Sequence, residues 1–145
     1  MLRRVSAIIL CATMLFGLIA CGTSNDTQKS SEDMVDMLWA LWAEGSAESP
    51  YGELMTYQAE VNNGGHDQYF LNVSNTGDLE AELSALRRIL PETHGENLEK
   101  AYAAFLTSEK DETALAVLDE CDRVFWENEA AINQILEEYA STMQP

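Results

Sequence analysis

The sequence predicts an all-α fold: a single compact multi-helix domain of about six to seven helices behind a flexible N-terminal tether. Three observations carry this expectation. Nearly every apolar cluster recurs at the 3.6-residue helical spacing. Clear period-2 alternation, the mark of half-buried strands, is lacking. Only 3 prolines stand in 145 residues, and the many Leu, Ala, Glu and Met suit helices rather than a disordered chain. About 115 residues follow the tether, enough for one hydrophobic core. There is no internal repeat and no second linker.

The first element is a leader. Arg3 and Arg4 form a positive start, and Val5 to Ala20 carries no charge, the layout of an export signal. The stretch is shorter than the roughly 20 apolar residues of a comfortable membrane-spanning helix. It ends in Leu18-Ile19-Ala20-Cys21, which resembles the bacterial lipobox. In such signals the cysteine thiol receives a diacylglycerol and the chain is cut just before it. Residues 1–20 are therefore expected to be a lipoprotein signal peptide, with lipidation at Cys21. Residues 21–31, rich in Gly, Ser, Thr and Asn, are the expected tether, and residues 32–145 the domain. Cleavage would also remove Cys11, leaving Cys121 without a thiol to pair with.

The domain begins at Ser30, read as a helix cap, with Asp33 at the third helical position. Met34, Met37, Leu38, Leu41 and Trp42 then form one apolar face. Gly45 to Pro50 breaks it. Leu54, Tyr57 and Val61 mark a short second helix, which Asn62-Asn63-Gly64-Gly65 is expected to stop. The run His66 to Ser74 fits strand or helix, and Asn75 to Asp78 reads as a turn and cap. Leu79, Leu83, Leu86 and Leu90 predict the next helix, ended by Pro91. Leu98, Ala101, Tyr102, Phe105 and Leu106 predict another. So do Ala114, Leu118, Cys121 and Phe125, and finally Ile132, Leu136, Tyr139 and Met143.

Few residues invite chemistry. Cys121 shares a stripe with Leu118 and Phe125 and reads as a buried core thiol. Its neighbours Asp119, Glu120 and Asp122 would raise a thiol pKa rather than activate it. His66 beside Asp67 suggests a dyad, but adjacent helical residues do not face each other, so a packed or surface histidine is expected. His94 is the other histidine, and no Cys/His cluster has metal-ligand spacing. Asp119, Glu120 and Asp122 lack the alternating ligands of a calcium loop. They read as a solvated acidic face or as caps to neighbouring turns. No catalytic residue, metal or cofactor is expected. An amide-rich stretch with no nucleophile does not suggest an enzyme.

The most specific stretch is Glu60 to Asn75, EVNNGGHDQYFLNVSN. It resembles the signature of the DNA-mimic protein 19 domain family. That signature is an acidic residue, Asn-Gly-Gly, two variable positions, Gln, two aromatics, and Asn one further on. The matching positions are Glu60, Asn63, Gly64, Gly65, Gln68, Tyr69, Phe70 and Asn72. A second match is Leu118, Asp119 and Asp122 with the pair Phe125-Trp126, similar to the family's Leu-Asp-x-x-Asp and aromatic pair. The resemblance spans about 34–139 and implies the family's helical fold. It departs at His66, where the family commonly has an aromatic. Physically, Gly64 and Gly65 would let the chain turn at positive φ. Gln68 and Asn72, four apart, would share a face and bond the backbone ends freed there.

The charge is extreme. Against 25 Asp+Glu stand 8 Lys+Arg, a net of −17. Loss of Arg3 and Arg4 with the leader would leave 6 basic residues against 25 acidic ones, or −19. Solubility requires far less. Such a field makes nucleic acid and anionic headgroups poor partners and attracts basic proteins. The resemblance implies a surface whose carboxylates imitate DNA phosphates. A working lipobox would place that surface outside the cytoplasm, on a membrane through its lipid. The expectation is an exported, non-catalytic module that binds a basic protein and no nucleic acid, with a homodimer possible. The alternative is a ligand-binding or structural envelope lipoprotein in which the Asn-Gly-Gly segment shapes a pocket and the acidity is incidental.

Overall fold

A computed structural model describes residues 30–108 and 111–143. The leader, Cys21 and the tether up to residue 29 lie outside the described residues. The described chain forms six helices: α1 Ser31–Ala43, α2 Tyr51–Thr76, α3 Leu79–Leu86, α4 Glu92–Phe105, α5 Glu112–Asn128 and α6 Ala130–Thr142. Among the described residues there is no strand. Nor, among those residues, is any helix long and apolar enough to cross a membrane.

α1 starts as its sequence requires. The Ser30 hydroxyl accepts from the Asp33 backbone N–H, and the Asp33 carboxylate accepts from the Ser30 N–H. Two otherwise orphaned donors are satisfied reciprocally. α3 and α5 are capped one way only, the Asp78 carboxylate accepting from the Ala81 N–H and the Asp111 carboxylate from the Thr113 N–H.

α2 is the central element and packs against every other helix; α4 pairs with α5, and α1 with α6. Its residues Leu54, Met55, Tyr57, Val61, Tyr69, Phe70 and Val73 are buried among Leu83, Leu86, Leu98, Leu118, Phe125, Ile132 and Leu136. Burying side chains of this size contributes about 1.5–3 kcal/mol each. Rings run through the core's centre: Tyr57 meets Tyr69 at 5.0 Å and Phe125 at 5.3 Å, both edge-on.

Three local expectations are corrected. Gly64-Gly65 does not end the second helix; it kinks it, and His66 to Ser74 continues as helix. Only Gly65 has positive φ, at +77°, whereas Gly64 lies at φ −162° in extended backbone. A single glycine with positive φ is enough to redirect the axis. α3 ends at Leu86, four residues before the expected Leu90, and tight turns follow, with Ile89 N–H bonding to Leu86 O. Leu106, placed on the apolar stripe of α4, is instead 65% exposed at its C-cap.

Candidate functional site

The kink in α2 leaves the backbone N–H of His66 without an intrahelical partner, because a helix that restarts must restart its ladder. Asp122 of α5 supplies the acceptor. Its Oδ1 takes the His66 backbone N–H at 2.8 Å and lies 2.6 Å from the ring Nδ1. The other ring nitrogen, Nε2, is 2.8 Å from the Tyr57 hydroxyl. With a carboxylate on Nδ1, the neutral ring carries its proton there and Nε2 accepts from Tyr57. His66 is fully buried. The result is a Tyr57–His66–Asp122 chain that ties both halves of α2 to α5. Burial, and after it the nearby Cys121 and Asp122, pushes the Tyr57 phenol well above its ordinary value. It remains a donor at any physiological pH.

Gly65 belongs to the same construction. A Cβ there would stand 2.2 Å from Asp122 Oδ2 and 2.9 Å from its Cγ, so the carboxylate fits only against a glycine. A Cβ on Gly64 would meet Gln68 Oε1 at 2.1 Å.

A second network spans the kink on its other side. Glu60 Oε2 accepts from Gln68 Nε2 at 2.9 Å and from Asn72 Nδ2 at 2.8 Å. The two amides, one turn apart, reach back across the Gly-Gly step to a carboxylate rather than to freed backbone ends, as the sequence reading expected. A charged acceptor is the stronger partner. Gln58, nearby in α2, donates to Glu129 Oε1 at 2.8 Å and Asn133 Oδ1 at 2.7 Å, which fastens α2 to α6.

The signature residues thus divide by role. Glu60, Gln68 and Asn72 clamp the kink, and Gly65 with Asp122 forms the cap. Tyr69, Phe70 and Leu118 fill the core. Asn63 and Asp119 are exposed. Glu120 faces solvent with Arg123 at 2.6 Å. Of the three acids read together, only Asp122 therefore turns inward. Cys121 is buried as expected. Burial raises its thiol first, with Asp122 and Glu120 adding to the shift and Lys100 opposing it. Its backbone carbonyl receives Asn97 Nδ2 at 2.8 Å. Among the described residues no group of three His, Cys, Asp or Glu is placed to hold a metal ion.

Tyr57 was not singled out in sequence as more than a core residue, and Asp122 was not linked to His66. The available signal was that a histidine replaces an aromatic directly after Gly-Gly, in a core whose buried polar groups require partners. Glu53 and Glu82 were also missed. They line a cavity of about 480 Å³ with Trp42, Gly45, Ala47, Ser49, Gly52 and Thr56. None of these comes from the Asn-Gly-Gly stretch.

No curated protein and no solved structure matches the chain. A family model described as DMP19-like protein matches residues 51–143, from the start of α2 through α6. That family is not a known enzyme family. The matched stretch contains both halves of the kinked helix, the Glu60 clamp and the Asp122 cap, and leaves out α1. Covering well over half of the sequence, the match makes the chain a member of the DMP19-like protein family.

Proposed function

We propose that this protein is an exported acidic lipoprotein whose domain is a non-catalytic module for binding a basic protein outside the cytoplasm. The observation that carries the reading is the distribution of carboxylates over the domain surface, most of them outside any arginine ion pair. Glu32, Asp33 and Asp36 on α1 are exposed, as are Asp67 on α2, Glu80 on α3, and Glu92, Glu96 and Glu99 on α4. Glu112, Asp119 and Glu127 on α5, with Glu137 and Glu138 on α6, continue the pattern. Among the described residues, arginine ion pairs engage only Glu99, Glu120 and Glu127. These pairs are exposed and individually weak. A rigid helical frame with carboxylates on each helix repels phosphate and steers Lys/Arg patches toward itself.

Membership in a family described as DMP19-like supports an acidic surface used as an interface. The lipobox-like Leu18-Ile19-Ala20-Cys21 supports export and a lipid anchor. The test is a titration of basic envelope proteins against the domain at low and high salt, with duplex DNA as control. Binding that weakens steeply as the Debye length falls from about 10 Å at 0.1 M to 3 Å at 1 M supports the reading. Binding indifferent to salt, or binding of DNA itself, overturns it.

A further inference from the structure

The cavity between α1, α2 and α3 goes beyond a generally acidic surface. Trp42, Ala47, Gly52, Glu53, Thr56 and Glu82 line it. One carboxylate oxygen on each of two lining residues, Glu53 Oε2 and Glu82 Oε1, is buried without a hydrogen-bond partner among the described residues, and so is the hydroxyl of Tyr69, which stands behind the lining. Tyr69 is 0% exposed, and its hydroxyl lies close enough to Glu82 and Glu53 for both charges, after burial, to push the phenol up. A buried carboxylate oxygen left unpaired costs about 1–3 kcal/mol, so a donor that reaches Glu53 and Glu82 from the cavity relieves that cost.

The aromatic wall is held in place. The Trp42 indole N–H donates to Thr56 Oγ1 at 3.0 Å, and that hydroxyl donates to the Gly52 carbonyl at 3.0 Å. Trp39 packs edge-on against the Trp42 ring at 5.4 Å. At the rim, Arg88 Nη2 reaches Ser49 Oγ at 3.4 Å, so this chain's own guanidinium is engaged at the mouth. A planar cation with several N–H donors matches two carboxylates and an indole face better than a compact ammonium does.

We propose that this cavity is a binding site for a guanidinium group, with Glu53 and Glu82 as its anionic acceptors and Trp42 as the flanking ring. Burial, then the charges of Glu53 and Glu60, pushes the Glu82 carboxyl up to about 7. An arriving cation would drive off that proton, so binding tightens as pH rises from 5.5 to 8. Glu53, Glu60 and Tyr69 are the other titratable groups whose charges couple to this carboxyl. The basic-partner reading is not required for the site to exist.

Calorimetry on the full chain in detergent tests the site with three probes: ethylguanidinium, a blocked Ala-Arg-Ala peptide and its Ala-Lys-Ala counterpart. Saturable one-to-one binding of a guanidinium probe is expected, with the lysine peptide weaker. Tighter peptide binding assigns the group to a protein partner, and tighter ethylguanidinium binding to a free small molecule; both support the site. Glu53→Gln and Glu82→Gln should each lose about tenfold or more. Tyr69→Phe, which keeps the ring, should lose a smaller factor. Glu138→Gln, an equal loss of charge on α6, should lose nothing. The same affinity in Glu82→Gln as in the native chain, an equal loss in Glu138→Gln, or equal binding of the lysine peptide overturns the proposal. A basic protein held in a salt-dependent complex that ignores Glu53→Gln and Glu82→Gln overturns the pocket and leaves the surface reading intact. Probe binding without any protein complex does the reverse.

Discussion

Replacing Gly65 by alanine tests the construction around the kink, because two separate penalties meet at one atom. Gly65 sits at φ +77°, ψ −179°, a region that side-chain-bearing residues enter at a cost of about 1–3 kcal/mol. The new Cβ would also stand 2.2 Å from Asp122 Oδ2, forcing the carboxylate away from His66. That carboxylate accepts both the backbone N–H and the ring Nδ1 of a fully buried histidine. Hydrogen bonds to a charged group are worth about 1.5–3 kcal/mol, and the two share one oxygen and are not additive. The expected loss is about 3–5 kcal/mol. For a domain of this size each kcal/mol lowers Tm by about 4 °C, so the melt should fall by about 12–20 °C. Two other glycines, Gly45 and Gly64, serve as controls. Gly45 has φ +70° and open space around its would-be Cβ, so Gly45→Ala isolates backbone strain and should cost about 1–2 kcal/mol. Gly64→Ala meets chiefly the amide end of the Gln68 side chain, at 2.1 Å from Oε1 and 2.5 Å from Cδ, with its Cβ at 3.0 Å; the amide can swing away at the expense of one bond to Glu60. Circular dichroism melts and urea titrations of the three variants, in a chain begun at Gly22, give the ranking. A Gly65→Ala melt no lower than that of Gly45→Ala would refute the contact with Asp122.

Two further outcomes follow from named groups. The Glu82 carboxyl, raised to about 7 from an ordinary value of about 4.3, keeps a proton in the folded chain that the unfolded chain has already released. Its contribution is therefore complete below about pH 4 and is lost as pH rises through 7. Glu82→Gln should accordingly gain Tm relative to the native chain between pH 4.5 and 8, and a Tm difference flat with pH would contradict the assignment. Separately, Cys21→Ser should abolish lipid labelling and move the domain from the membrane fraction to the soluble one. A variant that stays membrane-bound with its N-terminus intact would make the first twenty residues an anchor helix.

The helical fold was legible because one period dominates the sequence, and the caps at Ser30 and Asp78 could be read from residue type alone. The Gly-Gly step was visible as a break, but not as a kink. A helix that restarts at once needs an acceptor for its first free N–H, and here that acceptor is Asp122, 56 residues away. Spacing reports neighbours within an element and says nothing of such a partner. The same limit hid the Glu60 clamp, whose three residues were all noted while the bonds among them cross the kink. It also hid Tyr57, which reads as core by spacing and becomes the donor to His66 only once α2 bends. Glu53 and Glu82 look like ordinary surface acids on two helices until α2 and α3 pack and leave one oxygen of each buried without a donor among the described residues. The departure at His66 was noticed as a lost aromatic. In the fold it keeps the aromatic contacts, with Tyr57 at 5.6 Å and Phe125 at 6.1 Å, and adds two polar ones.

The proposed function requires that carboxylates on the helical frame hold a basic protein outside the cytoplasm. The direct measurement is the affinity of the soluble domain for basic envelope proteins across a salt series, beside duplex DNA under the same conditions. A complex that forms at low salt and weakens steeply toward 1 M, with DNA unbound throughout, is the predicted result. A complex whose affinity does not move with salt, or a domain that binds the duplex, would contradict it.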